Sequence, residues 1–207
     1  MTTTYEALLH RARELADSGG RRLLGITGAP GAGKSTLAER LAVDLGADAV
    51  VVPMDGFHLA ARQLVAQGLA DVKGAPQTFD DAGYAALLRR LVDQREGEVV
   101  YAPAFERDLE EPIAGAIRVE ASVALVITEG NYLLAETGAW PLASACLDET
   151  WFLDLNPQVR LARLIARHEW FGTSPEAARR WAEENDERNA RLVEATAGRA
   201  DVRLHLA

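Results

Sequence analysis

Residues 28–36, Gly28-Ala29-Pro30-Gly31-Ala32-Gly33-Lys34-Ser35-Thr36, have the types and spacing to hold phosphate. They fit G-x-x-x-x-G-K-[ST], in which backbone N–H groups wrap around an anion. Glycines permit the close approach and the positive φ that such wrapping needs. Successive N–H groups then form an anion nest at a helix N-terminus. In this pattern Lys34 reaches the β- and γ-phosphates, and the Ser35 hydroxyl ligates Mg²⁺. Two carboxylates close apolar runs elsewhere: Asp55 follows residues 49–54, and Glu129 follows residues 123–128. An acidic residue at the C-terminal end of a strand faces the crevice where parallel α/β sheets bind ligands. A carboxylate in the place of Glu129 serves the Mg²⁺ site of phosphate-loop enzymes, often through water. Asp55 is also a fitting helix N-cap, a role compatible with chemistry. His58 is expected to pack structurally or against substrate.

These residues need strands that end together and a helix behind the loop. Residues 23–27 read as a buried strand before the loop, and residues 37–42 as a helix after it. Residues 49–54, 123–127 and 150–155 are further buried strands, and residues 201–206 form a last one. Residues 3–17 read as an amphipathic helix and residues 79–95 as another. Residues 59–78 are poorly patterned, broken by Gly68, Gly74 and Pro76. Residues 98–102 and 117–120 suggest short strands, the second at an edge. The charged run 105–112 between them reads as a solvated loop. Asn156-Pro157 opens a helix with Arg160, Arg163 and Arg167 on one shared face. Residues 173–193 supply its partner, so a helical hairpin follows the core strand. A lid needs mobile positive charge there, and Arg163 and Arg167 are expected to reach the nucleotide phosphates. The fold class is therefore α/β, a three-layer phosphate-loop fold with a mostly parallel sheet and helices on both faces. One domain over residues 1–207 is expected, with the lid at about 158–195.

Composition narrows the partners. The net charge is −9, so no basic stripe for nucleic acid dominates. No apolar run approaches the ~18 residues of a membrane span, and the first residues lack a signal-peptide core. The lone Cys146 forms no intrachain disulfide, which suits a cytoplasmic setting. Lys34 and Lys73 are the only lysines against 20 arginines, which singles out Lys73 as well. A monomer and a homodimer both remain open.

Three segments in order carry a resemblance: Met54-Asp55-Gly56-Phe57-His58, Lys73-Gly74-Ala75-Pro76-Gln77-Thr78-Phe79-Asp80 and Thr128-Glu129-Gly130-Asn131-Tyr132-Leu133-Leu134. Together they resemble the pantothenate kinase, uridine kinase and phosphoribulokinase group of phosphate-loop kinases. Asn185, Asn189, Thr196, Arg199 and Ala200 follow the spacing of the pantothenate kinase C-terminal end. The resemblance implies that Asp55 is the base, that Glu129 sits by Mg²⁺ and substrate, and that the hairpin is the lid. It implies an acceptor site including Phe57, His58, Lys73, Arg107, Asn185 and Asn189. Where pantothenate kinases carry a Tyr-Ser-His element, this chain has Phe105-Glu106-Arg107, so pantothenate is expected to be a poor acceptor. The implied activity is transfer of the γ-phosphoryl of Mg·ATP to a hydroxyl of a nucleoside, sugar or other polyol. A nucleoside monophosphate kinase is the alternative, with Arg62, Lys73 and Arg107 as a second anion site. A guanine-specific switch is disfavoured, because neither lysine follows an asparagine in an Asn-Lys-x-Asp pattern. Intact Lys34, Ser35, Asp55 and Glu129 argue against an idle binding protein.

Overall fold

The computed structural model describes residues 4–205. The chain begins with helix α1 (Tyr5–Ala16), strand β1 (Arg22–Gly28), the phosphate loop and helix α2 (Lys34–Leu45). Strand β2 (Ala49–Pro53) leads into a 3₁₀ turn, Met54–Phe57, and then helices α3 (Ala61–Ala66) and α4 (Asp81–Val92). Strands β3 (Val99–Glu106) and β4 (Glu111–Glu120) precede β5 (Leu125–Gly130) and α5 (Trp140–Ser144). The rest is β6 (Glu149–Asp154), α6 (Pro157–Trp170), α7 (Pro175–Trp181), α8 (Glu187–Glu194) and β7 (Val202–His205). Residue 3 of the expected first helix and Leu206 of the expected last strand lie outside the described residues.

Five strands lie side by side in the order β2-β5-β1-β6-β7, every pair parallel. Side chains alternate between faces along each strand. Leu23, Val126 and Phe152 enter the cluster under α4 and α5, with Tyr84, Leu88 and Trp140. Leu24, Ile26, Leu125, Ile127, Trp151 and Leu153 enter the opposite cluster, with Leu8 and Ala12 of α1 and Leu37 and Leu41 of α2. Both faces are covered, so these strands read as unbroken apolar runs rather than alternating ones. Each fully buried side chain of this size contributes about 1.5–3 kcal/mol through water exclusion. The loop strand β1 is central, and its C-terminal end is flanked by the ends of β5 and β6.

The charged run 105–112 corrects the expectation of a loop. Its ends are strand: Phe105 pairs with Pro112 and Glu106 with Glu111 across an antiparallel hairpin. The strands pair only with each other, and Val100, Ala102 and Val119 face the core. Backbone pairing in a two-stranded ribbon does not require apolar side chains, so the charges ride on its outer face and tip. A register shift between Ala102 and Ala104, around Pro103, hides the alternation. The described residues contain no helix long and apolar enough to cross a membrane.

Candidate active site

The phosphate loop leaves β1 and turns into α2 at Gly33, whose φ of 97° belongs to the left-handed region that favours glycine. Gly33 offers no side-chain cap to α2. The first N–H groups of that helix are thus left for an anion. Lys34 is buried and folds back along the loop. Its Nζ donates to Gly28 O at 2.9 Å, Ala29 O at 3.2 Å and Asn131 Oδ1 at 2.7 Å. Burial pushes the Lys34 ammonium down to about 8, against the pull of Glu129 and Asp55.

Glu129 ends β5 beside the loop and is itself buried. The Ser35 hydroxyl donates to Glu129 Oε1 at 2.9 Å. Burial pushes the Glu129 carboxyl up to about 7, reinforced by the Asp55 charge and opposed by Lys34 and the Ser35 hydroxyl. The glycine after it has a packing reason. A Cβ at Gly130 would lie 2.5 Å from Met54 Cβ, so glycine lets the turn after β2 cross the end of β5. That crossing carries Asp55 to the rim. No group of three or more His, Cys, Asp or Glu among the described residues forms a metal cage. The Ser35–Glu129 pair instead suits Mg²⁺, which takes one or two protein oxygens and leaves the rest to phosphate and water.

Two cavities meet here. One, about 510 Å³, is lined by Asp55, His58, Lys73, Phe105, Asp186 and Asn189 among others. The second, about 740 Å³, runs past Thr36 and Arg40 to Tyr5 and includes Arg163. Gly31, Lys34, Ser35, Arg107 and Arg167 line both. Arg107, at the β3–β4 turn, stands 3.7 Å from Asp55 Oδ2. Lys73 donates to the backbone and side-chain oxygens of Glu110, both at 2.9 Å. The His58 ring stacks on Phe79 with centroids 3.9 Å apart, and its buried Nδ1 has no partner among the described residues. Burial lowers the His58 pKa, which favours the neutral ring.

Four sequence expectations are corrected. Arg160 does not share an open face with Arg163 and Arg167. Its side chain is 1% exposed, donates to Pro30 O at 3.3 Å and pairs with Glu187. It ties α6 to both the loop and α8. Phe57 packs edge-on to Tyr84 in the core instead of lining a cavity. Asn185 is half-buried, lines neither cavity and donates to Asp71 O at 3.2 Å. Asp55 caps no helix, since it sits inside the 3₁₀ turn. Arg160→Ala is expected to cost about 3–5 kcal/mol in chemical denaturation, because it strands a partly buried carboxylate. Arg163→Ala should stay within about 0.5 kcal/mol.

The structure adds residues that the sequence reading left without a role. Asn131 anchors Lys34, and its place directly after Glu129-Gly130 was the available signal. Asp186 and His168 face each other in the smaller cavity at 2.8 Å. Asp186 ends a π-helical turn, Ala182–Asp186, which no periodicity announces.

A loop that offers N–H groups, a buried lysine and strand-end carboxylates beside two joined cavities can take a phosphoryl group from one ligand and pass it to another. That is the chemistry of the P-loop kinases. A Schizosaccharomyces pombe protein provisionally named a uridine kinase is 34% identical over 204 residues, covering 93% of this chain and 86% of that one. The pantothenate kinase of Halalkalibacterium halodurans is 33% identical over 141 residues, covering 64% of this chain and 44% of that one. The crystal structure of a Silicibacter sp. TM1040 protein, provisionally named a fructose transport system kinase, shares 39% identity. It superposes with a TM-score of 0.86 over 97% of this chain and 98% of that one. The profile of the methylmalonyl Co-A mutase-associated GTPase MeaB matches residues 3–55, the stretch from α1 through the phosphate loop to Asp55. The chain belongs to the family of P-loop small-molecule kinases that includes uridine kinase, pantothenate kinase and phosphoribulokinase. It is a phosphotransferase with an alcohol group as acceptor.

Proposed function

We propose that this kinase transfers the γ-phosphoryl of Mg·ATP to a hydroxyl of a small metabolite held in the smaller cavity. The observation that carries the reading is the junction of the two cavities at Gly31, Lys34, Ser35, Arg107 and Arg167, with Asp55 on the acceptor side alone. When bound, Mg·ATP supplies the phosphoryl group and the metal charge that offsets it. Loop N–H groups and Lys34 hold the phosphates, and Ser35 with Glu129 holds the metal. Arg107, from the β3–β4 turn, and Arg167, from α6, both line the junction where the transferred group would lie. Asp55 orients the acceptor hydroxyl and takes its proton late. A free alcohol is too weak an acid to give its proton to a carboxylate, but it becomes acidic as its bond to phosphorus forms.

A phosphorylated acceptor would need a free second anion site. Arg62 does not line the cavity, Lys73 is bound to Glu110, and Arg107 faces Asp55. These contacts favour a hydroxyl over a phosphate acceptor. The free, buried Cys146 suits a cytoplasmic setting. Mg·ATP-dependent ADP release, screened over nucleosides, sugars, vitamins and nucleoside monophosphates, tests the reading. Stimulation by a hydroxyl compound is expected, and stimulation by monophosphates alone would overturn it.

We read the hairpin of α6, α7 and α8 as the lid. Arg163→Ala and Arg167→Ala should each lower kcat by roughly tenfold or more, with little change in melting. Normal turnover in both variants would make them solvated surface charges.

A further inference from the structure

We propose that Asp186, positioned by His168, binds acceptor hydroxyls, and that the acceptor is an uncharged polyol: a free sugar, or the ribose of a nucleoside. This rests on the kinase reading and narrows its substrate. One wall of the acceptor cavity is built by the hairpin. A π-helical turn ends at Asp186, and Asn189 follows one helical turn later on the same face. Such turns recur at functional sites because they redirect side chains out of the helical register.

Asn189 is 3% exposed, Asp186 is buried with its side chain 12% exposed, and both line the cavity. Asp186 Oδ2 meets His168 Nε2 at 2.8 Å, while no described residue hydrogen-bonds Oδ1. Asn189 Oδ1 is buried without a partner among the described residues. Buried polar groups are ordinarily paired, so the unpaired Asn189 oxygen in the cavity wall, next to the Asp186 carboxylate, points to a ligand that donates hydrogen bonds. Hydroxyl groups do that. Carboxylates and phosphates do not.

Charge disfavours an anionic acceptor at this wall. Of the hairpin's own cations on this cavity, His168 already faces Asp186, and Arg167 sits at the junction with the other cavity. Of the other cations around the cavity, Lys73 is bound to Glu110 and Lys34 to the loop carbonyls. Arg107 stands by Asp55. A ligand carboxylate would meet the Asp186 charge in a desolvated place, an arrangement that selects against it. The stacked rings of His58 and Phe79, with Phe105 beside them, offer an apolar floor for the carbon face of a sugar.

The test measures ADP release from Mg·ATP with D-fructose and uridine as uncharged probes, and D-glycerate and pantothenate as carboxylate probes. At least one uncharged probe should be phosphorylated, with kcat/KM at least tenfold above both carboxylates; fructose against uridine separates free sugar from ribose. Asp186→Asn should raise the KM of that probe about tenfold and leave the KM for ATP within twofold. His168→Gln, which keeps a donor for Asp186, should retain more of the affinity than His168→Ala. A preference for a carboxylate probe would leave the kinase reading standing and overturn the polyol. An unchanged acceptor KM in folded Asp186→Asn would remove Asp186 from the site. If none of the four probes stimulates ADP release, the polyol proposal falls, and the kinase reading is decided separately by the wider acceptor screen. The wild-type preference is read without any variant, so an unfolded Asp186→Asn protein does not spoil the test.

Discussion

Asp55→Asn is expected to slow phosphoryl transfer by roughly 10²–10⁴-fold, the range for loss of a general base, while leaving ATP affinity intact. Asparagine keeps the shape of the side chain and removes its proton acceptor. The structure removes the main competing explanation, since Asp55 lies within the 3₁₀ turn and caps no helix. Its one ion-pair partner among the described residues, Arg107, stands 3.7 Å away with both side chains about a third or more exposed, so the pair contributes little to folding. Melting should therefore stay close to wild type. ATP affinity should hold or rise slightly, because a negative charge near the terminal phosphate is gone. Single-turnover transfer and an ATP titration on the same protein separate these effects. Near-wild-type transfer would take Asp55 out of the mechanism and make Glu129 the next residue to test.

The parts that the sequence discloses are those whose physics is local. Residues 28–36 announce the loop because only glycines and a lysine at that spacing serve an anion nest, and the apolar runs into Asp55 and Glu129 announce buried parallel strands. The β3–β4 hairpin is obscured because Pro103 shifts its register and its exposed face is charged. Arg160 shows why helical spacing alone misleads. Its period matches Arg163 and Arg167, yet it meets Glu187 on α8, 27 residues later in the chain. No local pattern reports that pairing. Asp186 is hidden for a related reason, since a π-helical turn changes which residues share a face. Asp55 and Glu129 at strand ends and Arg163 and Arg167 on the hairpin could thus be named from local pattern, whereas the pairings of Arg160 and Asp186 depended on tertiary packing.

Lys34→Ala is expected to reduce kcat/KM for ATP by roughly 10³-fold or more, as loss of a charge-bearing phosphate ligand in a desolvated site does. Its effect on folding should be small, because two terms oppose. Removing the ammonium leaves Gly28 O, Ala29 O and Asn131 Oδ1 without their donor, at about 1–3 kcal/mol for the unmet hydrogen bonds. Yet burial lowers the Lys34 pKa to about 8, so holding the charge there costs roughly 3 kcal/mol relative to water. Phosphate would relieve that cost, which is why the residue suits binding better than stability. The sign of the pH effect follows. Between about pH 8 and the ordinary lysine range, the unfolded chain holds a proton that folded Lys34 has lost. The stability contribution of Lys34 therefore rises with pH across that window. Subtracting the Lys34→Ala stability profile from that of wild type should show that rise, measured without ATP. Lys34→Arg keeps a charge but replaces a point ammonium by a planar fork, and should recover little activity. A folded Lys34→Ala protein with wild-type kcat and KM for ATP would sink the phosphate-loop assignment, whatever its stability.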